Sequence, residues 1–183
     1  MINRKSFIVG VKSTKLSLSE KNFLKKYRPW GVILFSRNIN NIDQAKKLTF
    51  SIRKIFNDPN YPILIDQEGG RVNRLKKIIS FDNLTAEFFG KKFSKNHFEF
   101  KIFFKLFIDK TSFLLKSIGV NINTMPVLDL KIKGSSNVIG DRSYSNDPKI
   151  VSKIGDICID FFRQNSIGTV IKHIPGHGLA KVD

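Results

Sequence analysis

Gly168-Thr169-Val170-Ile171-Lys172-His173-Ile174-Pro175-Gly176-His177-Gly178 is the stretch on which the reading of this chain turns. Its first four residues form a short, β-branched run opened by glycine, which predicts a buried strand. Polar residues begin where that strand ends. In a parallel α/β protein the carboxyl ends of the strands carry the chemistry, so a Lys-His pair leaving a strand is placed to face a ligand. Pro175, Gly176 and Gly178 then turn the chain sharply. Taken alone, the pattern leaves open whether Lys172, His173 and His177 form a site or are ordinary loop residues.

The same arrangement recurs upstream. Ser6-Phe7-Ile8-Val9-Gly10-Val11 reads as a first strand, and Gly31-Val32-Ile33-Leu34-Phe35 as a second that opens into Ser36-Arg37-Asn38. Tyr61-Pro62-Ile63-Leu64-Ile65 is a third apolar run and ends at once in Asp66-Gln67-Glu68-Gly69-Gly70-Arg71. A carboxylate there can accept hydrogen bonds from ligand hydroxyls, and the glycines let a backbone approach closely; Asp66 could equally cap the following turn. A fourth strand fits Val120-Asn121-Ile122-Asn123, before Pro126-Val127-Leu128-Asp129.

Helices separate these strands. Ser17-Leu18-Ser19-Glu20 has the spacing of a capping box, and a helix should follow through Phe23, Leu24 and Tyr27. Asn41 can cap the next, whose Ile42, Ala45, Leu48, Ile52 and Ile55 recur every three or four residues. From Thr85 to Ile118 the chain reads as helical, with Phe88, Phe89, Phe93, Phe98, Phe103, Phe104, Phe107 and Phe113 expected in the core and Gly119 at the C-terminal end. Asp147 and Pro148 open a last helix through Ile150, Val151, Ile154, Cys158 and Phe161. Arg142, in the polar loop before it, is a planar donor fork suited to carboxylates or sugar hydroxyls, or else a surface arginine paired with Asp141 or Asp147.

Strands and helices in strict alternation, with strands apolar on both faces, specify parallel βα units. Polar loops follow the second, third, fourth and fifth strands, a ring of loops that fits a (β/α)₈ barrel better than a sheet with one switch point. Five strands do not close that barrel, which takes about 250 residues. The expected fold class is therefore α/β, an incomplete (β/α)₈ TIM barrel of about five units, with residues 1–183 as one domain truncated at its C-terminus.

Composition agrees. Of 183 residues, 41% are hydrophobic and 26% charged, as in one ordinary soluble domain. No apolar run reaches the roughly 18 to 20 residues of a membrane span, and the apolar stretch near the N-terminus is too short for a secretion signal. A single cysteine, Cys158, forms no internal disulfide and points to a reducing cytoplasm. The formal charge of +17 could attract nucleic acid or an anionic membrane. The lysines are spread along the chain rather than gathered, however, so no nucleic-acid and no membrane partner is expected.

Four segments in this order resemble the bacterial β-N-acetylhexosaminidases of glycoside hydrolase family 3. They are Gly31 to Asn38 (GVILFSRN), Ile65 to Leu75 (IDQEGGRVNRL), Val138 to Ser143 (VIGDRS) and Lys172 to Gly178 (KHIPGHG). The resemblance implies a TIM-barrel, retaining glycosidase that removes terminal, non-reducing β-linked N-acetylglucosamine. Its substrate would be muropeptide fragments of peptidoglycan being recycled in the cytoplasm, and it implies no cofactor and no metal. By the family's pattern Asp66, Arg74, Arg142, Lys172 and His173 bind the sugar. The acid/base histidine and the aspartate nucleophile of the family would fall beyond Asp183, which matches the aspartate that orients that histidine. The chain as given is therefore expected to be inactive. Leu179-Ala180-Lys181 departs from the Asp-Thr pattern expected ahead of that aspartate.

Two other classes compete. A metal-dependent hydrolase would use His173 and His177 with Asp66 as ligands, but Pro175 and Gly176 between the histidines oppose the helix that four-residue spacing needs. A basic nucleic-acid-binding α/β domain rests on the charge alone.

Overall fold

The structure, a computed structural model, describes residues 4–134 and 136–181; Asp183 lies outside the described residues. Five strands, β1 (Lys5–Gly10), β2 (Pro29–Leu34), β3 (Ile63–Ile65), β4 (Ile122–Asn123) and β5 (Gly168–Thr169), form one sheet in the order β1-β2-β3-β4-β5. Every pairing is parallel. Sequential order with no reversal is the order of a barrel wall; a doubly wound sheet reverses at its switch point.

Each crossover is helical: α1 (Leu18–Tyr27), α2 (Ile42–Phe56), α3 (Ala86–Lys95) with α4 (His97–Ser117), and α5 (Pro148–Gln164). The expected start signals act locally. Ser17 and Glu20 form a reciprocal capping box, Asn41 accepts from the Gln44 amide, and Asp147 accepts from Lys149 ahead of Pro148. Apolar stripes on the helices are buried inward, with Ala45, Leu48 and Ile52 of α2 and Val151, Ile154 and Phe162 of α5 sharing one core with Ile63 and Ile65 of β3. The short strand β3 is buried on both faces, as a central parallel strand requires.

Three expectations change. The helix read from Thr85 to Ile118 is two helices, because Asn96 is extended and ends α3 while its side chain accepts from the Phe98 and Glu99 amides to start α4. Phe89, Phe93, Phe104 and Phe107 lie in the core, but Phe98, Phe103 and Phe113 are exposed, because they project from the side of α4 turned away from the sheet. β5 is a sheet edge rather than a buried strand, and Val170 and Ile171 after it are both exposed.

The sheet fixes the site through its tips. Asn123, fully buried at the end of β4, accepts from the Gln67 amide (3.0 Å) and donates to the Gln67 carbonyl (2.9 Å). Gln67 in turn accepts from the Arg74 and Leu75 amides. This polar clasp holds the whole turn after β3. Gly69 allows the turn: its φ of +93° is left-handed, and a Cβ there would stand 2.3 Å from the Leu84 carbonyl.

Candidate active site

The loops after β3, β4 and β5 converge, and Asp66 is the centre of the convergence. One carboxylate oxygen accepts from Lys172 and from the Thr124 hydroxyl (3.0 Å), and the other accepts from Arg74 (2.7 Å). Burial pushes the Asp66 carboxyl upward, but the adjacent charges of Lys172 and Arg74 and their hydrogen bonds outweigh it and hold it well below the usual carboxylate range. Asp66 is thus an ionised acceptor at neutral pH. It ties together two loops 106 residues apart in the chain and does not serve merely as a turn cap.

Lys172 leaves the sheet edge where its segment bridges to Val127. Its ammonium is only 12% exposed and also meets Glu68 and the Thr124 hydroxyl. An ammonium has three protons, and Asp66, Glu68 and Thr124 occupy them. A ligand hydroxyl that takes a proton from Lys172 must therefore displace one of these partners or share it. Arg74 is less committed: its Nε is buried without a hydrogen-bond partner among the described residues, and its guanidinium lies 5.5 Å from the centre of the Phe35 ring.

Arg142 does not pair with Asp141 or Asp147. Its Nε and one terminal nitrogen donate to the two oxygens of Glu68, at 2.9 Å each, in the planar fork geometry that only arginine makes. The Glu68 hydrogen bonds, working against burial, raise the affinity of Arg142 for its proton further. Glu68, 7% exposed, so bridges Arg142 to Lys172. Arg71, not Arg142, takes Asp141, at 3.0 Å, and it also donates to the carbonyls of Asn137, Val138 and Ile139.

His173 stands beside this network on its own anchor. The Asp129 side chain, 1% exposed, accepts from the His173 amide (3.1 Å), from His173 Nδ1 (2.6 Å) and from the His177 amide. Burial raises the Asp129 carboxyl, and the His173 side chain with the two amides more than reverses this, so it stays ionised. An ionised carboxylate only accepts, so Nδ1 carries the proton and Nε2 is the nitrogen left for a ligand. The two imidazoles meet edge to face with centroids 4.9 Å apart.

Of the five sugar-site residues expected from the sequence, four are drawn together by three loops, with Asp66, Arg74 and Lys172 in direct contact and Arg142 joined through Glu68. His173 is held separately. Glu68, Thr124 and Asp129 were not assigned from sequence; their one signal is position, in the polar segments that follow β3 and β4. The ligand set Asp66, His173 and His177 is not assembled: Asp66 faces cations while the histidines face Asp129. Among the described residues no group of three His, Cys, Asp or Glu side chains is arranged to hold a metal ion.

A parallel, sequentially ordered α/β wall that gathers polar side chains at the carboxyl ends of its strands is the architecture of a (β/α)₈ barrel. The chain belongs to glycosyl hydrolase family 3: residues 3–183 match the N-terminal domain of that family. It is 37% identical over 176 residues to the β-hexosaminidase of Hydrogenovibrio crunogenus, an alignment that covers 96% of this chain and 48% of that protein. Its fold superposes with a TM-score of 0.88 on NagZ from Neisseria gonorrhoeae in complex with N-trifluoroacetyl-D-glucosamine, at 28% identity over 100% of this chain and 54% of the other. A family 3 β-N-acetylglucosaminidase from Paenibacillus matches at 26% identity and a TM-score of 0.78, over 94% of this chain and 32% of the other. The chain spans about half the length of the curated relatives it matches.

Proposed function

We propose that this chain is the sugar-recognising part of a β-N-acetylhexosaminidase, in which Asp66, Arg74, Arg142, Lys172 and His173 hold a terminal N-acetylglucosamine residue. The observation that carries the reading is Asp66, an ionised carboxylate held by Lys172 and Arg74 at the meeting point of three loops. Such a group accepts from paired sugar hydroxyls, while the part-exposed Arg74 guanidinium and the His173 ring supply polar atoms for hydroxyl or acetamido groups. The same network argues against a nucleophile among these residues. Asp66, Glu68 and Asp129 are each tied to cations or N–H donors, and a carboxylate so stabilised is a poor attacking group. By the family's pattern the nucleophile and the acid/base histidine, which Asp183 would orient, are not supplied by residues 1–183. The setting, turnover of muropeptide fragments in the cytoplasm, rests on the resemblance.

The test is ¹⁹F NMR with N-trifluoroacetyl-D-glucosamine, the compound seen with the Neisseria relative. The trifluoroacetyl resonance should broaden or shift on adding the chain, and Asp66→Ala should weaken this roughly tenfold or more, because hydrogen bonds to charged groups are worth about 1.5–3 kcal/mol. An unchanged resonance, or one equally perturbed by the variant, overturns the site. Residues 1–183 should release no chromophore from a chromogenic β-N-acetylglucosaminide. Release that disappears in Asp66→Ala would place the chemistry in this chain after all.

A further inference from the structure

The helix α4 carries more apolar surface than its own fold uses. Its inward side is buried in the core through Phe100, Phe104, Phe107, Ile108, Leu114 and Leu115. Its outer side presents Phe98, Ile102, Leu106 and Phe113, exposed by 75%, 45%, 61% and 59%. At 3.6 residues per turn these four fall in one stripe along the helix. A helix of a globular protein ordinarily buries one apolar stripe and turns polar residues outward. Here one face is open, and exposed apolar patches of this kind mark interaction surfaces.

Charge decides what that surface suits. Along α4 stand Lys101, Lys105, Lys110 and Lys116 against only Glu99 and Asp109. Both carboxylates are already paired with lysines, Glu99 with Lys92 at 3.1 Å and Asp109 with Lys105 at 2.7 Å. A second copy of the chain would bring the same lysines and another +17 to the contact, so like charges oppose self-pairing. Single-stranded nucleic acid would find phosphate partners and, at Phe98 and Phe113, rings to stack on, but Ile102 and Leu106 between those rings are aliphatic and interrupt any continuous stacking platform. A surface that is negative outside and hydrocarbon inside meets both features at once. No helix among the described residues is long and apolar enough to cross a membrane, so α4 would lie in the interface plane.

We propose that the outer face of α4 docks this chain on an anionic lipid surface, with Phe98, Ile102, Leu106 and Phe113 entering the headgroup boundary and the flanking lysines meeting lipid phosphates. This departs from the expectation of no membrane partner, which followed from lysines scattered in sequence; the helix gathers them beside an apolar stripe. The inference does not depend on the glycosidase reading. Flotation of residues 1–183 with phosphatidylcholine vesicles, with and without phosphatidylglycerol, tests it. The chain should float with the anionic vesicles only, and the double variant Phe98→Ser/Phe113→Ser should partition about tenfold or more weakly, since each ring withdraws its apolar area from water on docking. Phe50→Ser, at an equally exposed ring on α2, should change nothing. Leu106→Trp, in a Trp30→Phe background, should shift its emission to the blue on anionic vesicles. Circular dichroism checks that each variant stays folded. An equal loss in Phe50→Ser overturns the proposal, as does flotation indifferent to Phe98 and Phe113. A sedimenting dimer that the double variant dissociates, with no flotation, assigns the face to a second copy. Binding of a single-stranded RNA through these residues, without flotation, assigns it to nucleic acid; either result defeats the lipid reading.

Discussion

Asp129→Asn should loosen the histidine loop while leaving its shape unchanged. In the native chain one Asp129 oxygen accepts from the His173 amide and ring, and the other accepts from the His177 amide. An asparagine has only one oxygen, so its amide group must face an N–H donor on one side. The least costly orientation keeps the oxygen toward His173, loses the His177 bond, and turns the two His173 bonds from charged to neutral. A hydrogen bond to a charged group contributes about 1.5–3 kcal/mol, and charge-assisted bonds are roughly twice as strong as neutral ones. Because His173 is 29% exposed, water recovers part of this, and a net loss of about 2–4 kcal/mol is expected. Urea unfolding followed by circular dichroism reads it as a midpoint lower by about 1–2 M, given slopes near 1–3 kcal/mol/M. Asp141→Asn is the control, since Asp141 makes a half-exposed pair with Arg71 worth at most about 1 kcal/mol. If Asp129→Asn costs no more than Asp141→Asn, the loop is not held by this carboxylate and the reasoning about His173 fails.

Acid should act through the same kind of group: Asp66 and Asp129 both have native pKa values below those of the unfolded chain, so their contribution is full above about pH 4 and is lost as pH falls through the depressed native values. Urea midpoints measured from pH 6 to pH 3 should fall, and Asp66→Asn should flatten the slope; an unaltered slope contradicts the assignment. Arg142→Lys replaces a two-pronged contact with Glu68 by a single one and should cost about 1–2 kcal/mol, seen as a melting temperature lower by a few degrees. Equal melting would show that the fork is idle. Gly90→Ala should prevent normal folding, because its Cβ would stand 1.6 Å from the Tyr144 carbonyl, whereas Gly134→Ala, with nothing within 4 Å but a φ of +84°, should cost about 1 kcal/mol. Similar unfolding midpoints for the two variants would refute the packing of α3 against the loop before α5.

The alternation of elements was legible because it is written in neighbours. A capping box at Ser17 and Glu20, or a proline one residue after Asp147, acts within a single turn, and the structure forms both. Asp66 and Lys172 were legible as neighbours at the strand tips for a related reason. Parallel strands place all their carboxyl ends on one edge, so a polar residue directly after an apolar run is near the other strand tips whatever the loop lengths. The break at Asn96 has a local signal too, an asparagine with Glu99 three residues on, but it is masked by phenylalanines that continue the helical period on both sides.

The partners within the site were a different matter. Glu68 and Arg142 are 74 residues apart, Asp129 and His173 44, and nothing in the sequence near either member of a pair specifies the other. Periodicity reports which side of an element faces the sheet, and it cannot say which of 32 lysines and arginines a buried carboxylate will meet. The exposed phenylalanines of α4 show the same limit from the apolar side. Helical spacing made Phe98 and Phe113 look like core because the true core residues, Phe100, Phe104 and Phe107, repeat at the same period a fraction of a turn away. Only the sheet, by covering one of those stripes, decides between them. The stripe left over is therefore information that the fold adds to the sequence.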